Sequence, residues 1–188
     1  MDGIVEKATG MIPWALIDAS SAILLFKSGL IKACCEMFSL LMTRSVFDEV
    51  SVPAQPGAGE LHALAGRRPG VTVLDDPTGA LPIGAADIQR LHRGERDTLH
   101  HYLNGAARFV IIDDGKGVQV CRRHGIPHIN ALLCPRLLNF SGRLPEKHAR
   151  FFFSRVASLG HYSTAVVKWA DTCEKSELSF FYRQPVEV

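Results

Sequence analysis

The sequence predicts an α/β fold in which helices cover both faces of a short, mostly parallel sheet. Short apolar runs alternate with helical patterns along the chain, and this alternation is typical of consecutive βαβ units. The 188 residues are 47% hydrophobic and 21% charged, which is an ordinary globular composition. A chain of this length buries one sizeable core, so residues 1–188 are predicted to form a single domain.

The first half of the chain contains two predicted strands and one ambiguous segment. Trp14 to Ile17 is predicted as a buried strand that ends at Asp18. The segment ASSAILLFKSGLI that follows has small residues and serines suited to capping a helix. The segment SLLMTRSV fits either a strand or the end of a helix, because periodicity alone does not separate the two. Val71 to Leu74 is predicted as a further short strand.

The second half continues the alternation and then becomes helical. Its predicted elements are a helix that ends near a C′ glycine, a strand, a second helix and a last short strand: Ala85–Gly105, Arg108–Ile112, Gly115–His124 and Ile126–Ile129. From Ala131 onward the pattern predicts two or three helices with a loop at SGRLPEK.

Charge, cysteine usage and hydropathy narrow the class of protein. The net charge of +2 argues neither for nor against nucleic acid as a partner. The five cysteines contain no CxxC pair, so free thiols in a reducing cytoplasm are predicted. The N-terminus carries Asp2 and Glu6 where a signal peptide would be apolar. The longest apolar region, WALIDASSAILLF, is too short and too polar to span a bilayer, so a soluble cytoplasmic protein is predicted.

Acidic residues follow the predicted strands where parallel sheets bind ligands. Such sheets bind ligands beyond the carboxyl ends of their strands, and Asp18 and the pair Asp113–Asp114 lie at such ends. With Glu49 and Asp97 they form a set of carboxylates that repel one another by roughly 3 kcal/mol per pair at about 5 Å and an effective dielectric near 20. Protonation or a divalent cation relieves this repulsion, and oxygen ligands favour Mg²⁺ or Mn²⁺. Such ions equip a site for phosphodiester hydrolysis.

Each acid alone also has a purely structural interpretation. Asp18 has the position of an N-cap residue. Glu49 is also explained as a solvated charge on a helix, and Asp48 is an equally good candidate for the acid at this place. Asp97 fits an acid in the first turn of a helix, and Asp113–Asp114 fits a turn. The metal site is favoured by the ordered set of acids and not by any single residue.

Four segments together resemble a known family: ALIDASSAILLFKSGLI, VFDEV, GERDTLHHYL and FVIIDDGKGVQVCRRHGI. In their order and approximate spacing they resemble the PIN-domain nucleases, in particular the single-domain prokaryotic branch. The resemblance extends from about Pro13 to about Ala170 and includes the C-terminal helices. It implies a three-layer α/β/α sandwich with a short parallel sheet, and a helical extension over about 131–172 packed on it.

The resemblance also implies a ribonuclease that depends on Mg²⁺ or Mn²⁺. The four acids of the family fall on Asp18, Glu49, Asp97 and Asp114. Glu95 is the neighbour or substitute of Asp97, and Asp113 lies beside Asp114. Ser20 falls where the family often has a small hydroxyl residue that supports the site. Lys116 is predicted to stabilise the leaving oxygen, and Arg96 to position phosphates.

Proteins of this branch often act as toxins whose site is masked by a small antitoxin protein, so the resemblance implies RNA and such an antitoxin as partners. The apolar run Phe151–Phe153 is expected in the core or on the face of a homodimer. Two alternatives remain open. One is a catalytically weak PIN-like module that binds RNA or protein. The other is a receiver-like phosphoacceptor domain, in which the acidic pair would follow the first strand instead of a late one.

Overall fold

A computed structural model of the chain describes residues 13–182. Five parallel strands form one sheet in the order 3-2-1-4-5. The strands are β1 (Trp14–Ile17), β2 (Ser39–Thr43), β3 (Val71–Leu74), β4 (Phe109–Ile111) and β5 (His128–Ile129). The predicted α/β fold class is thereby confirmed, and the sheet is parallel throughout.

Helices connect the strands and cover both faces of the sheet. Up to β5 they are α1 (Ala19–Ser28), α2 (Ile31–Met37), α3 (Arg44–Val50), α4 (Ala58–Leu64), α5 (Ala85–Ile88), α6 (Arg93–Leu103) and α7 (Gly115–Arg123). After β5 and a 3-10 turn they are α8 (Cys134–Phe140), α9 (Glu146–Leu159), α10 (Thr164–Thr172) and α11 (Ser179–Tyr182).

The core divides into two clusters, one on each face of the sheet. Successive strand residues point to opposite faces, so Leu16 of β1 packs with Leu99 of α6 and Val120 of α7. Its neighbour Ile17 belongs to the other cluster, to which α1, α2 and the C-terminal helices contribute. Phe153 of α9 is buried in that second cluster. The result is the three-layer α/β/α sandwich.

Aspartates N-cap the two helices that follow β1 and β4. Asp18 has extended backbone angles and accepts the backbone N–H of Ser21 at 2.8 Å. Asp114 accepts the backbone N–H groups of Lys116 and Gly117 at 2.7 and 3.2 Å. These caps satisfy donors that the first turn of a helix leaves unpaired. They also fix both carboxylates at the strand-to-helix turns.

The structure corrects the prediction of one helix over Ala85–Gly105. Two helices, α5 and α6, occupy this region, and α6 begins after His92. The side chain of Glu95 accepts the backbone N–H of His92 at 3.0 Å as one half of a capping box, which starts a new helix at this position. The ambiguous segment SLLMTRSV divides into β2 and the start of α3, with Thr43 as N-cap. From residue 131 to residue 182 the tail forms four α-helices instead of two or three.

The structure confirms the predicted free thiols, since all the cysteines lie within residues 13–182. The five cysteines are free and buried. Among the helices of this range, none combines the length and the apolar character that crossing a bilayer requires.

The start of α4 supplies a matched pair of glycines for a test of packing. Gly57 has a φ of 91°, and a Cβ there would lie 2.6 Å from the Phe26 side chain. Gly59, inside α4, has open space around the corresponding Cβ position. We expect Gly57→Ala to lower the free energy of unfolding by about 1–3 kcal/mol through strain and overpacking. Gly59→Ala should instead raise it by about 0.5–1 kcal/mol through helix propensity. Urea unfolding of both variants measures this, and equal effects would contradict the described packing.

Candidate functional site

The order of the strands creates a crevice between the carboxyl ends of β1 and β4. From β1 the chain proceeds to β2 and β3 on one side, and it later adds β4 and β5 on the other. Ligands of open parallel sheets bind at such a switch point. The two ends lie side by side, since the backbone N–H of Asp18 donates to the carbonyl of Ile111 at 3.0 Å.

A cleft of about 500 Å³ opens at this position. Its lining includes five acidic residues from separate parts of the sequence: Asp18, Asp48, Glu49, Glu95 and Asp114. Ser20, Ser45, His92 and Arg93 also line it. Most of the predicted site residues therefore share one cleft, although they are far apart in the chain.

Asp18 is the most deeply buried of these acids. Its carboxylate is 2% exposed and accepts the hydroxyl of Ser20 at 2.6 Å in addition to the backbone N–H of Ser21. Burial raises the pKa of Asp18 to about 6, and the charge of Asp113 adds to this rise, while the hydrogen bonds from Ser20 and Ser21 oppose it. The serine predicted to support the site thus contacts the predicted first acid directly.

Glu95 enters the cleft from the first turn of α6. It is 7% exposed, and burial raises its pKa to about 7. The charge of Asp114 and a hydrogen bond between the two carboxyl groups raise this pKa further, with a smaller contribution from Asp18, whereas the backbone N–H of His92 lowers it. The carboxyl group of Glu95 therefore gains a proton at a higher pH than an exposed glutamate does.

The adjacent aspartates after β4 have different roles. Whereas Asp114 lines the cleft, Asp113 accepts the hydroxyl of Ser21 at 2.7 Å and the backbone N–H of Ala131 at 2.8 Å. The hydroxyl of Tyr162 donates to its other oxygen. Burial raises the pKa of Asp113, and these three donors lower it. Asp113 thus connects α1 and the C-terminal segment to the end of β4.

Asp97 lies beside the cleft and is bound to its neighbours. The Ser45 hydroxyl donates to its carboxylate at 2.5 Å, and the Arg93 side chain approaches the same oxygen at 3.6 Å. Glu95, and not Asp97, is the acid of α6 that lines the cleft. Arg93 was among the basic residues predicted to position phosphates. Ser45 and His92 were not predicted from the sequence, although Ser45 lies in the first turn of a helix that follows a strand, as Ser20 does.

The basic residues near the cleft differ in position. Arg93 lines it and forms a salt bridge with Asp76 at 3.0 Å. Lys116 is exposed in the first turn of α7, next to Asp114. Arg96, which was also predicted to position phosphates, is half-buried on α6. The arginine that lines the cleft is Arg93. Two of these residues, Arg93 and Lys116, therefore lie where a phosphate in the cleft would approach.

The donor atoms of the cleft are of the kind that Mg²⁺ and Mn²⁺ prefer, namely carboxylate and hydroxyl oxygens. Within residues 13–182, however, no three acidic, histidine or cysteine side chains are grouped so that they could hold an ion. Glu95 accepts the backbone N–H of His92, Asp114 accepts those of Lys116 and Gly117, and the carboxylate of Asp18 accepts from Ser20 and Ser21. The chemistry of the donors fits such a cation, whereas their arrangement does not form a coordination site.

Comparison of the chain with protein-family models, with curated proteins and with solved structures returned no match. The strand order still bears on one alternative. Receiver-like domains have the flavodoxin-like order 2-1-3-4-5, and the order here is 3-2-1-4-5. The receiver-like alternative therefore disagrees with the topology.

The raised pKa of Asp18 predicts a pH-dependent cost to stability. Because this pKa lies at about 6 instead of its ordinary 3.8, the folded protein binds a proton that the unfolded chain releases, and stability is lost as pH rises from about 4 to about 6. The cost above pH 6 is on the order of 3 kcal/mol. Asp18→Asn keeps an N-cap, so it should raise the free energy of unfolding at pH 8 and change it little at pH 4.

Urea unfolding at both pH values in EDTA measures this difference. Asp48→Asn is the matched control, because Asp48 is an exposed carboxylate of the same cleft and its replacement leaves the buried Asp18 in place. A loss of stability in Asp18→Asn at pH 8 would contradict the described burial.

The bond between Tyr162 and Asp113 predicts a second effect on stability. Tyr162→Phe removes one of three donors to a half-buried carboxylate, so it should lower the free energy of unfolding by about 1–3 kcal/mol at pH 7. Tyr182→Phe removes an exposed bond to the carbonyl of Lys175 and should cost less than about 0.5 kcal/mol. Equal costs in thermal or urea unfolding would show that the Tyr162 hydroxyl is not buried against Asp113.

Proposed function

We propose that this chain is a metal-dependent ribonuclease of the PIN type that hydrolyses RNA phosphodiester bonds in the cleft between the ends of β1 and β4. The observation that carries the proposal is the meeting of Asp18, Glu49, Glu95 and Asp114 in one cleft at the switch point of a parallel sheet. Two of these acids have raised pKa values, as groups in reactive clefts often do.

Asp18, Glu95 and Asp114 are the acids that would have to draw together to hold a cation, since no three acidic, histidine or cysteine side chains of residues 13–182 are grouped for one in this structure. Exposed Glu49 lies at the rim. A bound Mg²⁺ or Mn²⁺ would supply the positive charge and Lewis acidity that attack on a phosphodiester requires. The protein contributes the orientation of these acids. Ser20 directs one oxygen of Asp18, and the N-cap bonds of Asp114 fix its carboxylate at the start of α7.

Cationic side chains of the chain would bind the RNA backbone. Lys116 is exposed beside Asp114, and Arg93 lines the cleft. Phosphate contacts of this kind position a nucleic acid without reading its sequence. Arg93 is already paired with Asp76 and Asp97, so Lys116 is the cation with more freedom to contact a phosphate near Asp114.

The partners follow from the same proposal. A small antitoxin protein that masks the cleft, and a cytoplasmic location, are supported by the sequence resemblance. A homodimer is supported by Phe151, which is 56% exposed on α9, although Phe153 of the same run is buried.

A catalytically weak PIN-like module that binds RNA or protein is the second candidate. It is favoured by one observation, the lack of a three-residue metal-holding group within residues 13–182. RNA binding measured by fluorescence anisotropy, together with no cleavage of a mixed RNA pool in Mn²⁺, would favour this candidate over the nuclease.

An RNA cleavage assay with Mn²⁺ tests the nuclease and separates Glu95 from Asp97. We expect Asp18→Asn and Glu95→Gln to lower the cleavage rate at least about 100-fold, because both acids line the cleft. Asp97→Asn should lower it less than about 10-fold, since Asp97 acts only through Ser45 and Arg93.

Chelation by EDTA should abolish cleavage in every active sample, and urea unfolding should show that each variant is folded. Full activity in Asp18→Asn would refute the proposal. A larger loss in Asp97→Asn than in Glu95→Gln would instead assign the third acid to Asp97.

A further inference from the structure

A second pocket, of about 430 Å³, lies at the opposite edge of the sheet from the acidic cleft. It is lined by residues at or before the amino ends of β1, β2 and β3, among them Trp14, Ser39 and Thr72. Trp14 begins β1 and Asp18 follows its end, so the length of a four-residue strand, about 13 Å, separates the two regions. A ligand in one pocket therefore does not occupy the other.

The second pocket has three exposed arginines on its walls. Arg67 and Arg68 precede β3, and Arg143 follows α8. Among the residues that the structure describes, no carboxylate forms a salt bridge with any of the three. Glu36 is the acidic residue of the described lining, so the arginines outnumber it. The pocket is thus positively charged, in contrast to the acidic cleft.

Backbone bonds hold the two adjacent arginines in place. The N–H of Gly66 donates to the carbonyl of Val71 at 2.9 Å, and the N–H of Arg67 donates to Leu64 at 3.3 Å. A Cβ at Gly70 would lie 2.3 Å from the carbonyl oxygen of Leu64, so this tight turn requires glycine. The backbone that carries the two arginines is therefore held in a fixed turn, so little backbone entropy is lost when their side chains bind an anion.

Trp14 adds an aromatic surface to the same pocket. It is 38% exposed, although it starts a central strand of the sheet. Buried Cys35 also lines the pocket, and burial raises its pKa to about 12, so its thiol is not a nucleophile there. An indole face with guanidinium groups is suited to stacking a base and binding its phosphate.

We infer that the pocket formed by Trp14, Arg67, Arg68 and Arg143 binds a nucleotide unit, either free or as part of an RNA strand. Its volume is within the range of about 300–1,000 Å³ typical of small-ligand sites. The arginines bind the phosphate, and the indole stacks on the base. This inference does not depend on the acidic cleft.

Tryptophan fluorescence in EDTA, which prevents metal-dependent cleavage, tests the inference. The chain has two tryptophans, so Trp169→Phe leaves Trp14 as the reporter. We expect AMP or an eight-nucleotide RNA to quench Trp14. If the protein binds the RNA more tightly than it binds AMP, the ligand is an RNA strand. If the two affinities are equal, the ligand is a free nucleotide.

Paired variants give the control. Arg67→Ala/Arg68→Ala should weaken binding of a labelled RNA at least about tenfold in fluorescence anisotropy, and it should reduce the salt slope by about 0.7 per lost phosphate contact. Trp14→Ala should weaken it by about fivefold or more. Lys147→Ala/Lys168→Ala removes the same charge from exposed positions on α9 and α10 and should have little effect.

Two outcomes would overturn the inference. One is an equal loss of affinity in the arginine and lysine double variants, which would mean attraction by overall charge alone. The other is displacement of the RNA by an equal concentration of pyrophosphate together with unchanged affinity in Trp14→Ala, which would mean a simple anion site without base stacking.

Discussion

Asp18 is buried and Asp113 half-buried where β1 and β4 end side by side, and within residues 13–182 neither forms a salt bridge. Serine and tyrosine hydroxyls and backbone N–H groups satisfy their hydrogen bonds. Such donors stabilise a carboxylate, but they do not neutralise its charge. The pKa values of both groups are consequently raised by burial. The charge on these carboxylates therefore costs folding energy, although Asp18 caps α1 and Asp113 connects α1 to the C-terminal segment.

The meeting of these acids is a consequence of connectivity and could be predicted. Parallel strands place all their carboxyl ends at one edge of the sheet. Any residue that directly follows β1 or β4 must therefore lie near that edge, whatever its side chain. The apolar runs that identify the two strands are short but clear, and Asp18 and Asp114 follow them directly or nearly so. Alternation of strands and helices was enough for this part of the site.

The direction of each side chain could not be predicted from the same pattern. Asp113 and Asp114 are neighbours in sequence, yet one faces Tyr162 and the other lines the cleft, because the chain turns between them into α7. Glu95 and Asp97 are separated by about 200° around α6. Their directions depend on where α6 begins, and the capping box at His92 sets that point. A continuous helix from Ala85 contains no such start, so it leaves open which acid faces the cleft.

A parallel sheet collects residues at its amino edge as well as at its carboxyl edge. The basic pocket is built there from a strand start, a turn before β3 and a loop after α8, and these segments have no shared motif. These arginines could not be predicted as a site from the positions of strand ends. In the sequence, Arg67, Arg68 and Arg143 each resemble ordinary surface arginines. Their common position is set by the pairing of β1 with β2 and of β2 with β3. The same topology therefore separates acids and arginines onto opposite edges, with β1 connecting the two.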